Sequence, residues 1–132
     1  IGRKNNMYKI TKKLEVAGAH KLELPYESKC SNLHGHNWII TVELQSDKLT
    51  EYGMVMDFTH IKKLIHEPLD HSYINDVIPG INPTAENIAK WIADRLTGEF
   101  DGIYVVCTRV EVEESPNNTA IYEVKGGCNC GK

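Results

Sequence analysis

The chain has 132 residues, of which 41% are hydrophobic and 25% are charged, and its formal net charge is −3. These values predict one soluble globular domain that is long enough to bury a core. The weak charge predicts no binding to nucleic acid or to anionic membranes, and no stretch of about 18 apolar residues predicts a membrane span.

The two ends of the chain are expected to lie outside the folded domain. Residues 1–9 are polar and basic, which predicts no signal peptide, and Met7 is a candidate natural start. We therefore expect an N-terminal extension at residues 1–6, one domain at residues 7–125 and a flexible tail at residues 126–132.

Four cysteines are present, at positions 30, 107, 128 and 130. An even number allows two disulfides, but a chain without secretory features and with a sufficient core predicts reduced thiols in the cytoplasm. Cys128 and Cys130 fall on the predicted tail, and we assign them no function.

Alternation of apolar and polar residues predicts four strands, and apolar residues at helical spacing predict two helices. The strands are expected at residues 8–20, 36–45, 103–114 and 120–125, and the helices at residues 58–67, ending before Pro68, and from Asn82 to Gly98. The order β-β-α-α-β-β predicts an α+β domain with an antiparallel four-stranded sheet and two helices on one face.

The same patterns predict which side chains face the core. In the third strand Tyr104, Val106, Val110, Val112 and Glu114 share one parity, which is expected to point inward. Cys107 has the opposite parity and is expected to be a packed small side chain or to face a partner subunit. In the first helix, Phe58 belongs to the buried stripe, whereas His60 and His66 are assigned to solvent.

Three histidines form the strongest candidate site. His34 and His36 are two residues apart at the start of the second strand, so both point to one side of it. His20 ends the first strand with the apolar parity, so one face is expected to carry all three imidazoles. Three neutral imidazoles that leave a coordination position open are typical of catalytic zinc.

Cys30 lies on the loop just before these histidines. A thiol beside a divalent cation is pushed toward the thiolate, which is a ligand, a base or a nucleophile. A structural zinc site closed by Cys30, and a site without any metal, remain the alternatives to a catalytic centre.

Two further groups are candidates for chemistry. A carboxylate next to an imidazole, as in Asp70–His71, can orient the ring for proton transfer, although an isolated pair of this kind is commonly a loop contact. Glu114 has the inward parity and would need N–H donors if buried, or it lies in solvent at a frayed strand end.

Several short stretches of the sequence resemble the 6-pyruvoyl-tetrahydropterin synthase and 6-carboxytetrahydropterin synthase family. They occur in the order of that family and together span about residues 8–125. The stretches that carry the resemblance are Ala19–His20, Cys30 to Asn37, Gly53 to Phe58, Leu69–Asp70–His71, Asn75, Asn82 to Asn87 and Glu114–Ser115. Each stretch alone is a weak signal, but several in the same order are specific.

The resemblance implies a role for each candidate residue. Zn²⁺ ligands are matched by His20, His34 and His36, and the thiol that acts as general base is matched by Cys30. The remaining roles are a relay formed by Asp70 and His71, an anchor for the pterin ring at Glu114 and a substrate contact at Thr84.

The resemblance also implies the reaction. Cys30 lies three residues before the His-Gly-His motif that begins at His34, and this spacing resembles the carboxy branch, which serves queuosine biosynthesis. That branch is a zinc-dependent lyase that converts 7,8-dihydroneopterin triphosphate to 6-carboxytetrahydropterin, acetaldehyde and triphosphate. The pyruvoyl-forming branch of biopterin synthesis, and a zinc-stabilised binding or assembly module without turnover, are the alternatives.

The implied architecture is the tunnelling fold. Subunits of this fold associate into a barrel, typically a homohexamer built as a dimer of trimers, and active sites lie between subunits. Cys30 and the relay residues are therefore expected to meet one ligand from different copies of the chain.

Overall fold

The computed structural model of the protein describes residues 6–125, and these residues form a six-stranded sheet with helices packed on it. The predicted α+β class and its four long strands are confirmed. Cys128 and Cys130 lie outside the described residues. The strands are β1 (Tyr8–His20), β2 (His34–Ser46), β3 (Ser72–Tyr73), β4 (Gly98–Phe100), β5 (Ile103–Ser115) and β6 (Asn118–Glu123).

The long strands pair antiparallel, as expected. β1 pairs with β2 along its whole length, β2 pairs with β5, and β6 pairs with β5. The short β3 and β4 are additional, and β3 runs parallel to β1, so the sheet is mixed. Elements of two or three residues are too short for alternation to reveal them.

Helices occupy the connection between β2 and β5. The first helical region is continuous and consists of α1 (Phe58–Ile61), a π-helical segment (Lys62–His66) and α2 (Glu67–Leu69). It is followed by α3 (Ile74–Val77) and α4 (Ala85–Arg95). All helices in residues 6–125 are too short or too polar to cross a lipid bilayer.

Pro68 does not end the first helical region, which continues to Leu69. Proline has no N–H and its ring crowds the carbonyl four residues earlier, here that of Leu64. The π-helical segment comes directly before this point, and Arg95 Nε donates a hydrogen bond of 2.6 Å to the Leu64 carbonyl oxygen. The carbonyl that proline leaves without a helical partner is thus satisfied from α4.

One apolar core lies between the sheet and the helices. Even-numbered residues of β1 and β2 face it, as their parity predicts. The largest fully buried side chains include Trp38, Ile40, Leu44, Ile61, Ile65, Ile88 and Ile92. The expectation for Phe58 was wrong, because its side chain is 48% exposed at the first turn of α1, where Asp57 caps the helix.

β5 changes the side that it turns to the core. Opposite Glu43 and Leu44, the partners are Arg109 and Cys107, so Thr108 is an extra residue in the ladder. Such a bulge shifts the parity of the strand by one. Tyr104 is therefore 61% exposed and Cys107 is fully buried, contrary to the predicted facing. Beyond the bulge, Val110 and Val112 are buried as predicted.

Candidate metal centre and active site

The three histidines meet at one end of β1 and β2. His20 and His34 are directly opposite each other in the ladder, and His36 is opposite Gly18. Their ring centroids are 4.5 to 5.3 Å apart. The prediction that one face carries all three imidazoles agrees with this geometry.

Glu114 reaches the same point from β5. Its Oε2 atom lies 3.0 Å from Nε2 of His36 and 3.8 Å from Nε2 of His20. One ligand atom from each of His20, His34, His36 and Glu114 lies within 4.8 Å of the others, a spacing that a metal ion could bridge. The inward parity of Glu114 was the signal in the sequence, but it did not indicate a position beside the histidines.

The parity of β5 beyond Thr108 brings Glu114 to this position, and its pairing with β6 is irregular there. In the β5–β6 ladder Glu113 pairs with Thr119 and Ser115 pairs with Asn118, so Glu114 has no partner on β6. Bulged residues commonly turn a side chain toward a site. The side chain of Glu114 is 26% exposed, so it contacts the histidines and still remains open to a ligand.

Two buried nitrogen atoms in the cluster lack hydrogen-bond partners within residues 6–125. They are Nε2 of His20 and Nε2 of His36, because the short approach of Glu114 to His36 does not have the direction of a hydrogen bond. Buried polar atoms are normally paired, so an unpaired set facing one point indicates a missing ligand. Imidazole and carboxylate donors suit Zn²⁺ and related first-row cations.

The opposite ring nitrogens of two histidines are held by main-chain carbonyl groups. Nδ1 of His20 lies 2.8 Å from the Pro83 oxygen, and Nδ1 of His34 lies 2.6 Å from the Asn32 oxygen. A carbonyl accepts only from a protonated Nδ1, which leaves Nε2 with a free lone pair. This is the tautomer and the orientation that a metal ligand requires.

Burial favours the neutral form of His20, and packing fixes its ring and that of His36. His20 is fully buried, and this burial lowers its pKa. Trp38 packs edge-on against His20 and His36, with centroid distances of 4.9 and 5.1 Å. Its indole N–H donates a hydrogen bond of 3.1 Å to the Gly18 carbonyl, so the floor of the cluster is rigid.

Cys30 lies in the loop that joins β1 to β2, on the 3₁₀ turn Lys29–Ser31. Its thiol is free and partly exposed, but it does not belong to the four-residue group around the candidate metal position. The structure thus assembles Glu114, and not Cys30, with the three histidines. The closed site with three histidines and Cys30 is not the arrangement found here.

Asp70 is fixed by β1. Its Oδ1 atom accepts a hydrogen bond of 2.9 Å from the Ala17 N–H, and Oδ2 lies 3.4 Å from Nε2 of His71. The hydrogen bond from Ala17, reinforced by His71 and His66, lowers the pKa of Asp70. His71 has a left-handed backbone, and its side chain is 84% exposed.

The assignment of His66 to solvent was wrong. Its side chain is only 25% exposed, and its Nε2 atom lies 3.6 Å from Oδ2 of Asp70. The cause is the continuation of the helix past Pro68, in which the Asp70 N–H bonds to the His66 carbonyl at 2.8 Å. His60 is also partly buried, with its ring 5.7 Å from that of Phe100.

The remaining predicted site residues border the cluster to different degrees. His71 and His36 line one open cleft beside Gly35 and Ser72. Thr84 caps α4, because its Oγ1 accepts a hydrogen bond of 3.1 Å from the Asn87 N–H. A substrate contact by Thr84 stays a prediction.

Known proteins are similar to this chain in sequence. The curated 6-carboxy-5,6,7,8-tetrahydropterin synthase of Bacillus subtilis is 29% identical over 131 residues, which cover 92% of this chain and 90% of that protein. The protein of the same name from Synechocystis is 41% identical over 98 residues, covering 68% and 75% of the two chains.

Solved structures agree on the fold. The 6-pyruvoyl tetrahydropterin synthase of Caenorhabditis elegans superposes with a TM-score of 0.68 at 24% identity and covers 91% of this chain and 97% of its own. Residues 9–125 match the sequence family described as 6-pyruvoyl tetrahydropterin synthase. The predicted family is confirmed, and the chain belongs to the 6-pyruvoyl tetrahydropterin synthase family.

Proposed function

We propose that the protein is a zinc-dependent lyase that converts 7,8-dihydroneopterin triphosphate and water to 6-carboxytetrahydropterin, acetaldehyde and triphosphate in queuosine biosynthesis. The observation that carries this proposal is the pair of buried, unpartnered Nε2 atoms of His20 and His36, which face His34 and Glu114. Relatives named 6-carboxy-5,6,7,8-tetrahydropterin synthase support the choice of the carboxy branch.

The proposed metal ligands are His20, His34 and His36. Bound Zn²⁺ would polarise the side-chain oxygens of the substrate and acidify the protons next to them. The hydrogen bonds from His20 to Pro83 and from His34 to Asn32 hold both rings ready for this role.

Cys30 is the proposed general base. A partly exposed, free thiol on a loop next to the histidines can reach a substrate carbon and, as thiolate, remove its proton. Asp70 orients His71, and the exposed His71 imidazole passes a proton to or from the substrate. A reduced thiol is consistent with the proposed cytoplasmic location.

Glu114 is the proposed anchor of the pterin ring. A carboxylate that is 26% exposed beside the cluster can accept two parallel hydrogen bonds from the guanidine-like N–H edge of the ring. A pocket that includes Glu114, Thr119 and Ala120 adjoins it and offers space for that ring. We expect Glu114 to bind the substrate and not to act as a fourth metal ligand.

We further propose an assembly of a dimer of trimers with active sites between subunits. Two features support it. β1 and β6 lie toward opposite sides of the sheet, and β3 covers β1 only at Gly18 and Ala19, which leaves most of its outer edge available for pairing. The high exposure of His71 also fits a site that a second subunit completes. Light scattering coupled to size-exclusion chromatography would give six times the chain mass.

The decisive experiment incubates the zinc-loaded protein with 7,8-dihydroneopterin triphosphate, with and without a chelator, and identifies the products by mass spectrometry. We expect 6-carboxytetrahydropterin and acetaldehyde, and loss of both when the metal is removed. A pterin that keeps a pyruvoyl side chain would assign the pyruvoyl branch. No turnover, together with unfolding on metal removal, would identify a binding or assembly module.

A further inference from the structure

Two asparagine side chains hold the segment that follows His20. Asn75, on α3, accepts a hydrogen bond of 3.0 Å from the Lys21 N–H and donates one of 2.9 Å to the Lys21 carbonyl. Asn82, before α4, makes the same pair with Glu23, at 2.9 and 3.0 Å. Each amide thus occupies both main-chain groups of one residue, as a neighbouring strand would.

The segment from Lys21 to Glu23 is itself hydrogen-bonded to Cys30. The N–H of Leu22, which lies between Lys21 and Glu23, donates a hydrogen bond of 2.9 Å to the Cys30 carbonyl. The Cys30 N–H in turn donates to Ser28 Oγ at 3.1 Å. The main chain of Cys30 therefore takes its position from a residue that is clamped on both sides.

Asn75 and Asn82 together are called the clamp here. Asn82 is itself held by residues next to the metal cluster. The carbonyl of Asn82 accepts hydrogen bonds of 2.8 Å from Asn87 Nδ2 and from the Thr84 N–H. The next residue, Pro83, provides the carbonyl that orients His20. One short turn thus fixes a proposed metal ligand directly and Cys30 through Glu23 and Leu22.

The location of the clamp points to positioning more than to stability. Asn75 and Asn82 are half-buried and lie outside the apolar core, and no residue of the loop 21–33 is fully buried. A loop without buried side chains depends on its hydrogen bonds for a fixed conformation.

We propose that Asn75 and Asn82 are positioning residues that set the place of the Cys30 thiol relative to the histidine cluster. This inference rests on the proposed function only in giving Cys30 a catalytic task. The effect of the clamp on the position and accessibility of the thiol does not depend on that task.

The test compares Asn75→Ala, Asn82→Ala and Asn82→Asp, which keeps the acceptor of Asn82 but sets a carboxylate oxygen against the Glu23 carbonyl. Matched controls are Asp76→Ala and Ile81→Ala, at exposed neighbours of the two clamp residues. Circular dichroism and zinc content verify fold and metal. Steady-state kinetics with dihydroneopterin triphosphate, and the rate of Cys30 alkylation by iodoacetamide, followed by peptide mass spectrometry, are the readouts.

We expect kcat to fall by at least about tenfold in the alanine variants, because small displacements of a reacting group are costly, while KM changes by less than about twofold. Zinc content should stay at the wild-type level, Asn82→Asp should be at least as impaired as Asn82→Ala, and the Cys30 alkylation rate should change by at least about threefold. The controls should match the wild type in both readouts.

Unchanged alkylation of Cys30 in both alanine variants would overturn the inference, as would equal losses in the controls. The alkylation arm needs no turnover. If the wild type fails to convert dihydroneopterin triphosphate, the proposed function fails, whereas altered alkylation in the clamp variants still supports the clamp.

Discussion

Nδ1 of His20 lies 2.8 Å from the carbonyl oxygen of Pro83, a residue 63 positions further along the chain. The proposed metal ligand His20 and the carbonyl group that orients it therefore come from distant parts of the sequence, and only folding brings them together. Because the carbonyl fixes the tautomer, it leaves Nε2 of His20 free for a metal ion.

Replacing His20 should remove the metal. His20→Gln keeps a polar side chain of similar length but loses the imidazole that faces His36 and Glu114. We expect zinc affinity to fall by at least about 100-fold, since even the partners of metal ligands contribute up to that amount. Metal analysis by mass spectrometry after dialysis measures it, with His60→Gln as the control. Full zinc occupancy in His20→Gln would contradict the assignment.

Replacing Cys30 should separate metal binding from turnover. The thiol is outside the four-residue group, so Cys30→Ala should retain zinc and the fold. If the thiol is the general base, kcat should fall by roughly 100-fold or more. Parallel measurement of zinc content and product formation shows whether the thiol acts in turnover without binding the metal. Turnover at the wild-type rate would exclude Cys30 as the general base.

Asp70→Asn should weaken the fold at neutral pH but not in acid. The hydrogen bond from Ala17, with His71 and His66 nearby, lowers the pKa of Asp70 in the folded protein. Its ionised form therefore stabilises the fold above the unfolded-state pKa, which is about 3.9. This contribution is lost as pH falls through the lowered pKa of the folded state.

The measurement is urea unfolding of both proteins at pH 7 and in steps below pH 4. We expect a lower unfolding free energy for Asp70→Asn at pH 7, and a difference that shrinks with acidification. Asp76→Asn, at an exposed site, is the control. A difference that is independent of pH would show that the charge of Asp70 does not contribute.

Gly18 should not tolerate a side chain. A Cβ atom there would lie 3.0 Å from Cδ1 of Ile74 and 3.4 Å from the Leu69 carbonyl oxygen. We expect Gly18→Ala to lower the unfolding free energy by about 1–3 kcal/mol. Adding Ile74→Val removes the Cδ1 atom, so the double variant should lose less than the sum of the single changes.

Thermal or urea unfolding of the four proteins in this cycle gives the coupling energy. Ile78→Val, at another buried isoleucine, is the matched control and should add its effect independently. Strict additivity of Gly18→Ala and Ile74→Val would refute the proposed close contact.

Cys107 should be unreactive in the folded protein. Its side chain is fully buried, and this burial raises the pKa of the thiol to about 12. We expect iodoacetamide at pH 8 to label Cys30 and to spare Cys107 until urea unfolds the chain. Peptide mass spectrometry at intervals measures both sites. Equal labelling of Cys30 and Cys107 without denaturant would disprove the facing found for β5.

The sequence alone was sufficient for the long strands and for the shared face of His20, His34 and His36. Both depend on the two-residue period of a strand, which is a local property. The family also followed from the order of short motifs.

The sequence could not indicate the contacts that depend on irregular backbone. The facing of Tyr104 and Cys107 was predicted wrongly because Thr108 is an extra residue in the ladder. His66 was assigned to solvent because it lies away from the apolar stripe, but the helix continues past Pro68 and brings His66 to Asp70. The contact of Glu114 with His36 depends on the pairing of β5 with β2, which the inward parity of Glu114 does not specify.

The extra residue at Thr108 has a consequence for how this strand can change. Because it offsets the two halves of β5 by one position, the half before it buries Val105 and Cys107, and the half after it buries Val110 and Val112. Deleting Thr108 would place Arg109 directly after Cys107, which keeps Leu44 and Glu43 as their partners and leaves Glu114 on the side of the histidines. Loss of that single codon would therefore spare the centre, whereas loss of one codon between Val112 and Glu114 would turn the carboxylate to the opposite surface of the sheet.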